Sequence, residues 1–191
     1  RIYFKIKETM NGSDLYYKKI NQESTFLYDY CNSAIKKLTE DIRNTIPFRD
    51  DFKGVTIPRN KFLKEPVLKK LDDRFGIEFA WILIIEKNTV INFHIDSFRK
   101  STVNMLLSSG ISYSIFKKEI ESNNKYRTKF EELVFEKKCF YLFNVSHPHS
   151  VVNLDKPRFM FSLKFRDGDL TYNEVFDWCK ENNMLEPTQS K

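Results

Sequence analysis

The sequence predicts an α+β fold: an antiparallel sandwich or barrel of eight strands, with helices before and after it. Three observations predict this. From residue 77 onward, short runs rich in β-branched and aromatic residues follow one another, separated by turn or charged residues. No helical spacing intervenes between the runs, which argues against a parallel sheet with crossover helices. Before residue 77 and after residue 165 the apolar residues recur at three- and four-residue steps instead.

Taken in order, residues 1–76 read as a helical region that packs on the barrel. "STFLYDYCNSAIKKLTEDIRN" places Leu27, Tyr30, Ala34, Leu38 and Ile42 on one helix face, with Ser24 or Thr25 as cap and Pro47 beyond its end. "IPFRDDFKGVTIPRNKF" reads as a long loop. "EPVLKKLDDRFG" reads as a short helix, with Pro66 in its first turn and Gly76 as its stop. The core spans 77–165, with strands at 77–86, 89–95, 102–108, 111–116, 130–135, 139–145, 149–153 and 158–165. Residues 166–191 form a C-terminal helix and tail, with Val175, Phe176 and Cys179 at helical spacing. The whole, 1–191, reads as one domain.

With 41% hydrophobic and 15% aromatic residues the chain can bury a core, which excludes a disordered protein. The net charge of +6 is carried by scattered lysine doublets, so no dedicated nucleic-acid arm is indicated, although a basic channel stays open. The longest apolar run, Phe79 to Ile85, is too short to span a membrane. Cys31, Cys139 and Cys179 are odd in number, widely spaced and without a CxxC pair. They point to free thiols in a reducing, intracellular and cytoplasmic setting, with Cys139 an inert core thiol. No signal-peptide pattern opens the sequence, but Arg1 is not an initiator methionine, so targeting stays open.

The chemistry concentrates in "NFHIDSF". His94 is one of only three histidines, and Asp96 follows it at a strand end. Strand alternation puts Asn92, His94 and Asp96 on one face. A carboxylate and an imidazole two positions apart can reach one metal ion, and a third ligand must come from His147 or His149. Two histidines and one carboxylate leave three coordination positions open, a set suited to non-haem iron(II). Pro148 and the following "VV" give His149 the better register, with His147 as the alternative. Arg158, nine positions after His149, opens "RFMFSLKF". Arg158, Met160 and Ser162 share one face of that strand, where a guanidinium and a hydroxyl could grip a carboxylate. Nothing here arranges a nucleophile, base and acid as a hydrolase needs.

"HIDSFRKSTVNMLL…HSVVN…KPRFMFSLKF" resembles the iron(II)- and 2-oxoglutarate-dependent dioxygenases, nearest to small aspartyl/asparaginyl hydroxylase-like members. The resemblance covers about residues 77–165. It implies an eight-stranded double-stranded β-helix (a cupin-like jelly roll). It implies His94, Asp96 and His149 as metal ligands and Arg158 as the anchor for the far carboxylate of 2-oxoglutarate. Iron(II), 2-oxoglutarate and dioxygen would be the cofactor and co-substrates, and hydroxylation the reaction, with succinate and carbon dioxide as co-products. Many such proteins carry Arg-x-Ser; here Met160 stands at that place and Ser162 two positions later, so the contact of Ser162 with the co-substrate is less secure. An aspartate at position 96 resembles the hydroxylating members rather than the halogenating ones.

Other residues have two readings. Asn104 could bind the co-substrate or be a satisfied buried amide. Arg99 could bind substrate or be a solvated loop arginine. Phe79, Trp81 and Phe93 are expected in the core rather than on a substrate platform. Asp50 and Asp51 are expected in a solvated loop rather than at a second metal site. The substrate stays open among small molecules, peptides and nucleobases, and is expected to be set by residues 1–76 and the 117–129 loop. Two alternatives compete with the oxygenase: a catalytically silent jelly-roll module binding protein or nucleic acid, and a cupin-type metalloenzyme that does not use 2-oxoglutarate.

Overall fold

The structure, a computed structural model, describes residues 12–38, 46–49, 52–118 and 129–187. In these, strands β4 (Ile77–Ile85), β5 (Thr89–His94), β6 (Ser101–Ser108), β7 (Ser112–Lys117), β8 (Phe130–Leu133), β9 (Cys139–Asn144), β10 (His149–Asn153) and β11 (Arg158–Phe165) match the eight expected runs to within two residues at either end. They form two facing antiparallel sheets. β9-β6-β11-β4 are consecutive neighbours in the larger, and β5-β10-β7-β8 make up the smaller. From β4 to β11 successive strands alternate between the sheets, except that β7 and β8 pair with each other in the smaller one, which is the jelly-roll winding.

The region before residue 77 departs from the helical expectation. A strand, β1 (Tyr17–Glu23), pairs with β9, and a second and third, β2 (Ile46–Arg49) and β3 (Phe52–Thr56), extend the sheet beyond β4. The larger sheet thus has seven strands, ordered β1-β9-β6-β11-β4-β3-β2. "YKKINQE" hid its strand because polar side chains occupy most of it. The expected loop hid a hairpin: Pro47, expected beyond the end of a helix, lies in β2, the edge strand, where a missing N–H is tolerated.

Helix α1 (Thr25–Leu38) is present, but its start is not secured by its own sequence. The buried Glu65 reaches across from the start of another helix. Its Oε1 accepts from Ser24 Oγ at 2.6 Å and from Leu27 N at 2.8 Å. A short helix α2 (Arg59–Phe62) precedes α3 (Pro66–Phe75), which carries Pro66 at its first turn. Gly76 ends α3 with φ 70°, a conformation costly for any other residue, and its N–H donates to Asp72 O at 2.8 Å. Helix α4 (Tyr172–Glu181) begins with a Thr171–Glu174 capping box.

Strand alternation divides the apolar residues between two cores. One face of the larger sheet carries Val103, Met105, Leu142, Phe161 and Leu163 toward the helices, where they meet Leu27, Leu68 and Val175. Each such side chain stabilises the fold by roughly 1.5–3 kcal/mol. The other face looks into the barrel, where Phe116, Leu133, Tyr141, Phe143 and Val145 pack together. Burial pushes the thiols of Cys31 and Cys179 up to about 12 and raises that of Cys139, so all three stay protonated core groups. Phe79 and Phe93 correct the expectation of core positions: they are 44% and 41% exposed, and Trp81, half-buried, has its ring 5.6 Å from that of Phe79. Among the described residues, no helix is long and apolar enough to cross a membrane. Asp50, Asp51 and residues 119–128 lie outside the described residues.

Candidate metal centre

Sheet pairing brings two distant parts of the chain together. β10 runs antiparallel to β5 with His149 directly opposite His94, and the register shifts just after, between His149 and Val151. The two imidazole centroids lie 4.3 Å apart. β5 ends at His94, so Asp96 stands beyond the strand rather than on it. Its backbone N–H donates to Val145 O at 2.9 Å, which holds it beside the histidines. Strand alternation alone would not have ensured this; a cross-strand bond to the end of β9 does.

The ligand atoms converge. His94 Nδ1 lies 2.8 Å from Asn92 O, and His149 Nδ1 lies 3.0 Å from His147 O. Both contacts require Nδ1–H as donor, which leaves each Nε2 with a free lone pair. Both Nε2 atoms lie 3.7 Å from Asp96 Oδ1. One ligand atom from each of His94, Asp96 and His149 falls within 4.8 Å of the others, the spacing of groups that surround an ion. Burial, the largest influence, pushes the His149 imidazole down to about 4, so it is neutral near pH 7 and able to coordinate. His147 is directed elsewhere: its Nε2 lies 2.5 Å from Lys117 O and its ring packs on Tyr16.

A cavity of about 290 Å³ opens beside these groups. Leu83, Ile91, Phe116 and Met160 contribute apolar wall, and Asn104, Ser114 and Ser150 contribute polar wall. Asn104 is buried, with its Oδ1 3.4 Å from Thr102 Oγ1. Arg158 lies immediately behind the wall. It is 1% exposed, its Nη2 donates to Ser114 Oγ at 2.7 Å and approaches Met160 Sδ at 3.8 Å, and both of those residues line the cavity. The Phe135 ring covers it at 5.4 Å. Its Nε has no hydrogen-bond partner, and among the described residues no carboxylate pairs with it. Burial pushes this guanidinium down to about 10. A buried cation with no counter-charge is costly, and the cost falls when an anion enters the cavity.

Two expected contributors sit differently. Ser162 shares the barrel face with Arg158, but its Oγ accepts from Arg99 Nη1 at 2.9 Å. Arg99 is not a solvated loop arginine: it lines the cavity, its side chain is 10% exposed and its Nε donates to Asp96 Oδ2 at 2.7 Å. Ser114 was not foreseen; the alternation of "SYSIFK" would have turned it inward with Phe116, but nothing in the sequence linked it to Arg158.

The fold is the one seen in solved prolyl hydroxylases. Among solved structures, the chain is similar to a prolyl-4-hydroxylase from Pseudomonas putida, with 12% identity, a TM-score of 0.58, and 79% of this chain and 92% of that one covered. It is also similar to a prolyl hydroxylase from Trichoplax adhaerens in complex with a hypoxia-inducible-factor peptide fragment, with 13% identity, a TM-score of 0.55, and 78% and 82% covered. HygX from Streptomyces hygroscopicus, with nickel, 2-oxoglutarate and hygromycin B bound, matches with 9% identity, a TM-score of 0.51, and 73% and 78% covered. No family model and no curated sequence matches the chain.

Proposed function

We propose that the protein is a non-haem iron(II)- and 2-oxoglutarate-dependent oxygenase that hydroxylates a substrate. One observation carries this reading. Two imidazole Nε2 atoms and one carboxylate oxygen converge beside a cavity, with a buried guanidinium behind its wall that no carboxylate of the described residues pairs with. The donor set fits iron(II): two neutral nitrogens, one anionic oxygen and an open side. When bound, iron(II) supplies the activation of dioxygen, coupled to decarboxylation of 2-oxoglutarate to succinate and carbon dioxide.

The chain's own residues do the rest. His94, Asp96 and His149 hold the ion, with each imidazole oriented by its Nδ1–H bond to a carbonyl. Asp96 offsets part of the cation's charge. Arg158 and the Ser114 hydroxyl receive the far carboxylate of 2-oxoglutarate by charge-assisted hydrogen bonding, with Asn104 as a further donor from the wall. Leu83, Phe116 and Met160 exclude water from that end. Ile95 and Phe98, both exposed and both lining the cavity, form an apolar lip that favours a small molecule or peptide segment presenting an aliphatic group. Among the described residues several lysines are ion-paired, as in Lys19–Glu136, Lys69–Asp73 and Lys164–Glu78.

Anaerobic addition of iron(II) and 2-oxoglutarate to the purified protein tests the reading without a substrate. A weak visible charge-transfer band that needs both components is expected. Its absence, with neither component bound in equilibrium dialysis, refutes the assignment.

A further inference from the structure

Arg99 has no role in the reading above, yet its contacts tie it to the site. Nε donates to Asp96 Oδ2 at 2.7 Å. Nη1 donates to Thr102 Oγ1 at 3.0 Å, Ser162 Oγ at 2.9 Å and Leu163 O at 2.7 Å. Thr102 Oγ1 in turn donates to Leu163 O at 2.6 Å. The guanidinium thus links the metal carboxylate to β6 and β11, and the Phe98 ring covers it at 5.3 Å.

We propose that Arg99 is a positioning residue: by occupying Oδ2 of Asp96, it makes that carboxylate a one-oxygen ligand. The inference rests on the metal assignment above. Oδ1 is the oxygen 3.7 Å from both imidazole Nε2 atoms, and Oδ2 is the one that Arg99 holds. The backbone bond from Asp96 N to Val145 O fixes the residue from its other side. Three protein atoms on a six-coordinate ion leave three positions. A carboxylate with both oxygens free can chelate the ion and remove one of them. The open positions would be where the proposed co-substrates bind, so losing one would weaken 2-oxoglutarate binding. A guanidinium suits this task because its planar fork can serve a carboxylate on one edge and a carbonyl on the other; an ammonium cannot span both.

The test uses the full chain loaded with cobalt(II), whose visible bands report coordination number. Wild type, Arg99→Gln and Arg99→Lys are compared by cobalt spectrum, by 2-oxoglutarate affinity of the cobalt protein, and by melting temperature without metal. Arg99→Gln is expected to alter the cobalt bands and to weaken 2-oxoglutarate binding by roughly 10- to 100-fold, the range typical of lost metal-supporting contacts. Arg99→Lys is expected to recover part of that loss. Variants with wild-type bands and wild-type affinity overturn the proposal, even if they melt lower, because a purely structural tie would shift melting alone. If Arg99→Gln does not fold, Arg99→Lys decides by the same two readouts, and wild-type values in it overturn the proposal. Failure of the wild type to take up cobalt refutes the metal assignment itself, a result separable from either variant outcome.

Discussion

Arg158 and His149 pull against the fold in ways that can be measured. Arg158 is a buried cation lacking a carboxylate partner among the described residues. Arg158→Met should therefore leave the melting temperature of the ligand-free protein unchanged or raise it, because it removes an uncompensated charge. The same change should weaken 2-oxoglutarate binding about tenfold or more, the loss of one charge-assisted contact worth roughly 1.5–3 kcal/mol. Calorimetric titration and thermal melts on one preparation check both. His149 is held neutral: burial, opposed by the His147 carbonyl and Asp96 and aided by His94 and Arg99, pushes it down to about 4. Its ordinary value is about 6.5. Between these limits the unfolded chain binds the extra proton, so stability present above about pH 6.5 is lost as pH falls toward 4. Melts of the metal-free protein across that window should show the loss, and His149→Gln should lose less over the same window.

Among the elements, helix α1 depends on a residue far from it in sequence. Glu65→Ala leaves Ser24 Oγ and Leu27 N without the acceptor they share. The expected cost is about 1–3 kcal/mol, several degrees of melting temperature for a chain of this size. Metal uptake should be unaffected, because the helix packs on the face of the sheet opposite the cavity. A lowered melt together with normal cobalt uptake is the outcome to look for. The eight core strands were legible because alternation and turn residues mark them, and "RFMFSLKF" even showed which residues face the barrel. β1 and the β2–β3 hairpin were not legible. Their pairing depends on exposed edges of the larger sheet, and neither alternation nor composition separates such segments from loop.

At the scale of the molecule, ligand binding and stability are linked. An inert metal with a keto-acid mimic binds the folded state alone and should raise the melting temperature. Manganese(II) with N-oxalylglycine at a hundredfold excess over its dissociation constant should add about 2.7 kcal/mol. In Arg158→Met the manganese increment should persist and the N-oxalylglycine increment should shrink. Differential scanning calorimetry separates the two. A protein that responds to manganese but never to the keto-acid mimic would be a metal-binding jelly roll without the proposed co-substrate.

The sequence by itself determined the strand-rich core, the bounds of its eight strands to within two residues, and the pairing of an imidazole with a carboxylate at one strand end. These are local or periodic properties, and alternation with a period of two exposes them. It narrowed the third ligand to two histidines on either side of Pro148. Only the tertiary structure decided the rest. Antiparallel register set His149 opposite His94, a bond from Asp96 N–H to the Val145 carbonyl held Asp96 beside them, and Arg99 was drawn from solvent into the site. Each of these depends on contacts between residues tens of positions apart or on the direction a single side chain takes, and a one-dimensional pattern carries neither.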